Sequence, residues 1–181
     1  MTDVIRVGVR GFRARLKCFD YLHEPFKWES GGFSTKIAQG YQNSKRWTRN
    51  IDLFSYKYLF IPVNISNIHW VLIAIDIEWN VVKYYDPYHN TDILKNCERC
   101  LEYLQCEGLE RHTGEVNLSQ WNIVGSLLTE PTQRNSYDCG VFLIVTAHYL
   151  WRRQHLTFME SDMESFRLKI ANGILNKTPF N

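Results

Sequence analysis

Three apolar runs near the middle of the chain limit its folding options most. Residues 58–65 (YLFIPVNI), 70–77 (WVLIAIDI) and 81–85 (VVKYY) are each of strand length and rich in β-branched and aromatic side chains. Glu78-Trp79-Asn80 separates the last two as a turn, so 70–77 and 81–85 are expected to fold back as an antiparallel hairpin. Asp86-Pro87 stops the second strand, because proline cannot donate to a ladder. Residues 121–128 suggest a further strand.

Helical patterns flank this block. Ile93, Leu94, Cys97, Leu101 and Leu104 fall at helical spacing, so 93–105 reads as an amphipathic helix. Residues 140–151 are apolar throughout and read as a buried helix. Residues 160–175 form another, with Ser161 as its cap, and 33–40 a short one. Strands in the middle with helices on both sides predict an α+β fold around a small mixed sheet. At 181 residues, with 45% hydrophobic and 22% charged residues, the chain suits one globular domain rather than disorder.

The net charge of +2 provides no global field for nucleic acid or a membrane surface. The one basic cluster, Arg6, Arg10, Arg13, Arg15 and Lys17, reads as a solvated end. No run of ~18 apolar residues is present, so no membrane span is expected. Five cysteines without a signal-type start predict an intracellular protein with reduced thiols. In that setting a single cysteine in a special context is a candidate nucleophile.

Cys139 has such a context. The polar stretch Gln133-Arg134-Asn135-Ser136-Tyr137-Asp138 ends abruptly there, and the apolar helix follows. A thiol at a helix N-terminus gains from the dipole and from free N–H groups, both of which favour thiolate. Gly140 leaves room for a substrate backbone, and Gln133 can offer an amide donor to an oxyanion beside the Cys139 N–H. The residues alone leave two readings open: a nucleophile, or a small buried hydrophobe.

His69 precedes the hairpin's first strand, and Asp86 follows its second. Folding brings both to one end of the sheet, offset by roughly 10 Å at ~3.3 Å per residue. An aspartate beside a histidine fixes its tautomer and stabilises its charged form. A surface histidine and an ordinary Asp-Pro turn is the alternative. Cys97, Cys100 and Cys106, with His112, can be drawn as a zinc site, but their helical placement lacks the paired-knuckle spacing and favours packing. Cys18 has no partner context.

Taken together, these residues resemble the Ulp/SENP family of SUMO proteases over most of the chain. Arg46-Trp47-Thr48, Ile51-Asp52-Leu53-Phe54, Ile61-Pro62-Val63-Asn64 and His69-Trp70 look like successive family segments. So do Tyr84-Tyr85-Asp86, Gln133 with Asp138-Cys139-Gly140, Phe166-Arg167 and Ile174-Leu175. His69 and Asp86 are 17 residues apart and Gln133 and Cys139 six, as in the family.

The resemblance implies a papain-like fold and cleavage after the C-terminal Gly-Gly of a ubiquitin-like modifier, with SUMO foremost. It implies Cys139 as nucleophile, His69 as base, Asp86 as its orienting group, Gln133 at the oxyanion and Trp70 over the glycine tail. It implies no metal or cofactor, a monomer, and residence in nucleus or cytoplasm. The family's opening helix, whose tryptophan helps cover the glycines, has no match in residues 1–32, where Trp28 is the only tryptophan. The expected organisation is therefore a divergent or incomplete segment, 1–32, followed by a catalytic domain, 33–181. Asn135-Ser136-Tyr137-Asp138-Cys139-Gly140 is similar to the Nedd8-directed branch, which keeps Nedd8 or ubiquitin as alternative substrates. An inactive modifier-binding fragment is a third reading.

Overall fold

A computed structural model describes residues 4–6, 40–66, 68–89, 94–111, 116–176 and 178. Five strands form one mixed sheet in chain order: β1 (Val4–Arg6), β2 (Tyr58–Ile65), β3 (His69–Asp76), β4 (Val81–Tyr85) and β5 (Asn122–Val124). The β2–β3 and β3–β4 pairs are antiparallel, whereas both outer pairs are parallel. Helices α1 (Tyr41–Ser44), α2 (Leu94–Glu110), α3 (Cys139–Trp151) and α4 (Met163–Asn176) complete the fold. This is the expected α+β architecture.

Strand alternation sorts the core into two layers. Odd-numbered Leu59, Ile61 and Val63 of β2 pair with Ile75, Ile73 and Val71 of β3. They pack with Val82 against Cys97, Cys100, Leu101 and Leu104 of α2. Even-numbered Phe60, Leu72 and Ala74 face the other way and meet Ala147 of α3. Beyond that layer, Val141, Phe142 and Val145 of α3 pack with Phe158, Met163 and Ile170. The central strands are covered on both faces, which is why they read as unbroken apolar runs rather than alternating ones.

Several predicted boundaries moved. The hairpin's first strand begins at His69 rather than 70, because the ladder from β2 reaches Ile65 opposite His69. The strand predicted at 121–128 keeps only Asn122–Val124, since Ser126 turns its hydroxyl to the Asp86 backbone. Helix α2 runs beyond residue 105 to Glu110. Its last turns are held by a polar hub: buried Glu107 accepts from Thr48 Oγ1, from Tyr103 OH at 3.0 Å, and from Arg111. A buried carboxylate so supplied with donors is compatible with a core, but no apolar pattern announces it. Ser161 lies inside a 3-10 turn, and capping falls instead to Asp162, whose carboxylate accepts from the Met159 N–H at 2.8 Å.

Cys97 and Cys100 are core residues, and burial pushes the Cys100 thiol pKa up. Val4–Arg6 forms a short edge strand beside β2, too brief to show any periodicity. The short helix at 33–40, apart from Gly40, and the rest of the 1–32 segment, with Trp28, Cys18 and most of the basic cluster, lie outside the described residues, as does His112. Gly40 takes φ 92° to enter α1, a conformation that favours glycine. Among the described residues no helix is long and apolar enough to cross a membrane.

Candidate active site

The sheet register brings His69 and Asp86 together without a bulge. Leu72 pairs with Tyr85, so continuing the antiparallel ladder by one step sets Asp86 opposite Val71. His69 lies two residues before Val71 and shares its face. The two side chains are therefore diagonal neighbours, within reach of an imidazole and a carboxylate. The expected ~10 Å offset thus shrinks to two residues, about 6.6 Å along the strand. His69 Nε2 lies 2.8 Å from Asp86 Oδ1, and Asp86 is 1% exposed.

Asp86 is held from three directions. Its Oδ1 also accepts from the Tyr88 N–H at 2.8 Å. Ser126 Oγ accepts from its N–H at 3.3 Å and donates to its carbonyl at 3.2 Å. The Gln133 N–H donates to the neighbouring Pro87 carbonyl at 2.8 Å, which docks the segment before Cys139 onto the same turn.

Cys139 is the first residue of α3. Asp138 occupies the cap position, yet its side chain does not cap the helix. Its carboxylate accepts instead from Asn135 Nδ2 at 2.7 Å and from Arg167 Nε at 2.8 Å and Nη2 at 2.5 Å. The Asp138 side chain therefore does not compete for the positive end of α3. Burial alone would raise the Cys139 pKa. The His69 imidazole and the Trp70 and Gly140 backbone N–H groups oppose this, and the thiol ends below its ordinary value.

Burial alone would likewise lower His69, but the Asp86 bond and the Cys139 sulfur raise it to about 9. Each group favours the charged form of the other, the signature of a thiolate–imidazolium pair. With Nε2 on Asp86, Nδ1 is the nitrogen left for Cys139. Nδ1 is buried and makes no hydrogen bond among the described residues, so it is available to the Cys139 thiol.

Gln133 is not a surface residue: it is 2% exposed. Its Nε2 donates to the Asn135 carbonyl at 2.7 Å, with Asn135 Oδ1 at 3.2 Å and Tyr88 OH at 3.4 Å. The amide N–H₂ therefore faces the loop that leads to Cys139. Trp70 is half-buried on the α3 side of β3, and a β-carbon added at Gly140 would sit 3.9 Å from its Cδ1. Indole and glycine thus line one edge of the Cys139 helix start.

Tyr88 and Asn135 were not singled out by their sequence context. Tyr88 packs its ring against His69 with centroids 4.7 Å apart and planes tilted by 38°, and Asn135 Oδ1 accepts from the N–H groups of Tyr137 and Asp138 at 3.1 Å each. The signal for Asn135 was its place three residues before Asp138, the spacing of a side chain that folds a turn. Nothing local marks Tyr88.

A thiol at a helix start, beside a buried imidazole–carboxylate pair, is an arrangement suited to nucleophilic acyl transfer. Residues 11–177 match the model of the Ulp1 protease family, C-terminal catalytic domain. Sentrin-specific protease 2 of Homo sapiens is 34% identical over 139 residues, 76% of this chain and 23% of that protein. Sentrin-specific protease of Caenorhabditis elegans is 30% identical over 147 residues, 80% of this chain and 20% of that one.

The solved C-terminal Ulp1 protease domain in complex with Smt3, the yeast orthologue of SUMO, aligns with TM-score 0.69 and 26% identity, covering 80% of this chain and 65% of that one. The chain belongs to the Ulp1 protease family. It spans about a quarter or less of the length of these curated relatives.

Proposed function

We propose that this chain is a cysteine peptidase and isopeptidase that cleaves after the C-terminal Gly-Gly of a ubiquitin-like modifier, with SUMO as its substrate. The observation that carries the reading is the meeting of Cys139, at the α3 N-terminus, with the buried His69–Asp86 pair. Family membership and the likeness to the Ulp1–Smt3 complex support SUMO over Nedd8 or ubiquitin. The catalytic unit comprises 33–181, and the family match from residue 11 supports extending it into the preceding segment. It works as a monomer inside the cell, a setting in keeping with the free thiols of Cys97, Cys100, Cys106 and Cys139.

The Cys139 thiolate attacks the carbonyl carbon of the modifier's last glycine. The tetrahedral oxyanion takes hydrogen bonds from the Cys139 N–H and from Gln133 Nε2, which gives up an Asn135 contact to reach it. The His69 imidazolium, steadied by Asp86, protonates the departing amine as the C–N bond breaks, leaving a thioester on Cys139. Neutral His69 then takes a proton from water. That water attacks the thioester, and the thiolate leaves on an imidazolium again. Trp70 roofs the channel for the two glycines, the only residues slim enough to thread it.

The test is a panel of SUMO, Nedd8 and ubiquitin fused to a fluorophore through their C-terminal glycine. The proposal expects release from SUMO to exceed the others by at least about tenfold in kcat/KM, a ~1.4 kcal/mol preference. It expects Cys139→Ser to bind SUMO without turning it over. Equal rates on all three modifiers would remove SUMO as the specific substrate, and release by Cys139→Ser would remove the nucleophile.

A further inference from the structure

Tyr88 takes no part in the chemistry above, yet it touches both halves of the site. Its ring lies against His69 with centroids 4.7 Å apart and planes tilted by 38°. Its N–H donates at 2.8 Å to Asp86 Oδ1, the same oxygen that faces His69 Nε2. Its hydroxyl donates to the Asn135 carbonyl at 2.5 Å. That carbonyl also receives Gln133 Nε2 at 2.7 Å, and Nε2 in turn lies 3.4 Å from the Tyr88 oxygen.

We propose that Tyr88 is a positioning residue that holds the His69 ring and the Gln133 amide in register with Cys139; this rests on the acyl-transfer reading above. A phenol has one hydrogen to give, and Tyr88 gives it to Asn135. Its oxygen is therefore left as an acceptor on the Gln133 side. Gln133 Nε2 thus sees three acceptors: the Asn135 carbonyl, Asn135 Oδ1 and the Tyr88 oxygen.

If the amide turned over, Gln133 Oε1 would face those acceptors, with no hydrogen between oxygen and carbonyl. Tyr88 and Asn135 thereby keep the amide's donor end toward the Cys139 loop, while Oε1 stays buried and without a partner among the described residues. An amide turned the other way would aim an acceptor at a developing oxyanion.

The ring contact does a separate job. A flat aromatic face against the imidazole resists its rotation, so Nδ1 stays directed at the thiol while Nε2 stays on Asp86. Asn135 carries the restraint onward, because its Oδ1 accepts from the N–H groups of Tyr137 and Asp138, the two residues before Cys139. One side chain thus couples the proton-transfer pair to the oxyanion side across three segments of chain.

Two variants separate the jobs. Tyr88→Phe keeps the ring and removes only the hydroxyl. It is expected to lower kcat on a SUMO–fluorophore substrate about tenfold, short of the roughly 10²–10³ for losing the donor outright. KM and the alkaline limb of the pH profile stay where they were. Tyr88→Leu removes the ring as well, and is expected to move the pH dependence of Cys139 alkylation by iodoacetamide toward that of an ordinary thiol.

The alkylation needs no protein substrate, so it reads the His69–Cys139 geometry whatever the modifier. Absent turnover by the unaltered protein would count against the proposed function, not against this coupling. Tyr88→Phe with unchanged kcat, or Tyr88→Leu with an unchanged alkylation profile, would overturn it.

Discussion

Replacing Asp86 with asparagine should move the alkaline limb of activity, and the size of the move follows from the site. His69 stands at about 9 against an ordinary 6.5, despite a burial that works the other way. At 1.36 kcal/mol per pKa unit, the imidazolium is favoured by ~3 kcal/mol over its state in water. After burial, the Asp86 bond at 2.8 Å is the leading influence, and the Cys139 sulfur supplies the rest. Asparagine keeps the shape and an oxygen that can still accept from the Tyr88 and His69 N–H groups, but it removes the charge. His69 should then lose its proton at least one pH unit lower, with burial no longer offset.

The assay is kcat/KM against pH on a SUMO–fluorophore substrate, from pH 5 to 10, for both proteins. Activity falls as the imidazolium is lost, so the unaltered enzyme should decline near pH 9 and Asp86→Asn at least one unit earlier. At its own optimum the variant should be about 10- to 100-fold slower, less than the ~10⁴ of a wrong tautomer, because Oδ1 is retained. A stability effect has the same sign. A raised histidine pKa stabilises the fold fully below about 6.5, and that contribution fades as pH climbs through about 9. The difference in Tm between the two proteins should therefore be larger at pH 6 than at pH 10. An alkaline limb in the same place for both proteins would refute the electrostatic role given to Asp86.

Gln133→Ala should lower kcat by about 10²–10³ with little change in KM, since an oxyanion donor acts only once charge develops. Weakened SUMO binding with unchanged kcat, measured by titration and single turnover, would place Gln133 in the binding surface instead. Trp70→Ala should cut cleavage of Gly-Gly substrates sharply while a Gly-Ala tail becomes relatively less disfavoured. An unchanged ratio of kcat/KM for the two tails, with both falling together, would assign Trp70 to packing.

The hairpin was legible because its strands are covered on both faces, and a doubly covered strand has no polar alternation to confuse it with a loop. Residues 58–65 were read to the residue for that reason, and 81–85 because the turn at Asn80 and the Asp86-Pro87 stop bound it. The pairing of His69 with Asp86 was legible in kind but not in distance. Sequence gives an offset along the strand, whereas the face each side chain takes depends on the ladder's register, which puts Asp86 diagonal to His69. The burial of Gln133 was not legible, since a polar segment reads as surface unless its partners are known. Those partners, Pro87, Tyr88 and Asn135, come from a distant turn and from the loop's own fold. The extra turns of α2 were missed likewise, because Glu107 is stabilised by Thr48, Tyr103 and Arg111 rather than by apolar spacing. Tyr88 was invisible because its importance lies wholly in what the register sets beside it.

The whole mechanism depends on Cys139 being the nucleophile for a modifier's terminal glycine. The most direct measurement is intact-protein and peptide mass spectrometry after incubation with SUMO carrying a C-terminal vinyl sulfone. Cys97 and Cys100 are buried in the core, and burial raises the thiols of Cys100 and of half-buried Cys106, so background labelling at these three should be slight. One SUMO adduct per chain is expected, linked through the Cys139 sulfur and lost in His69→Ala at neutral pH. An adduct on any other cysteine, or labelling undiminished in His69→Ala, would contradict it.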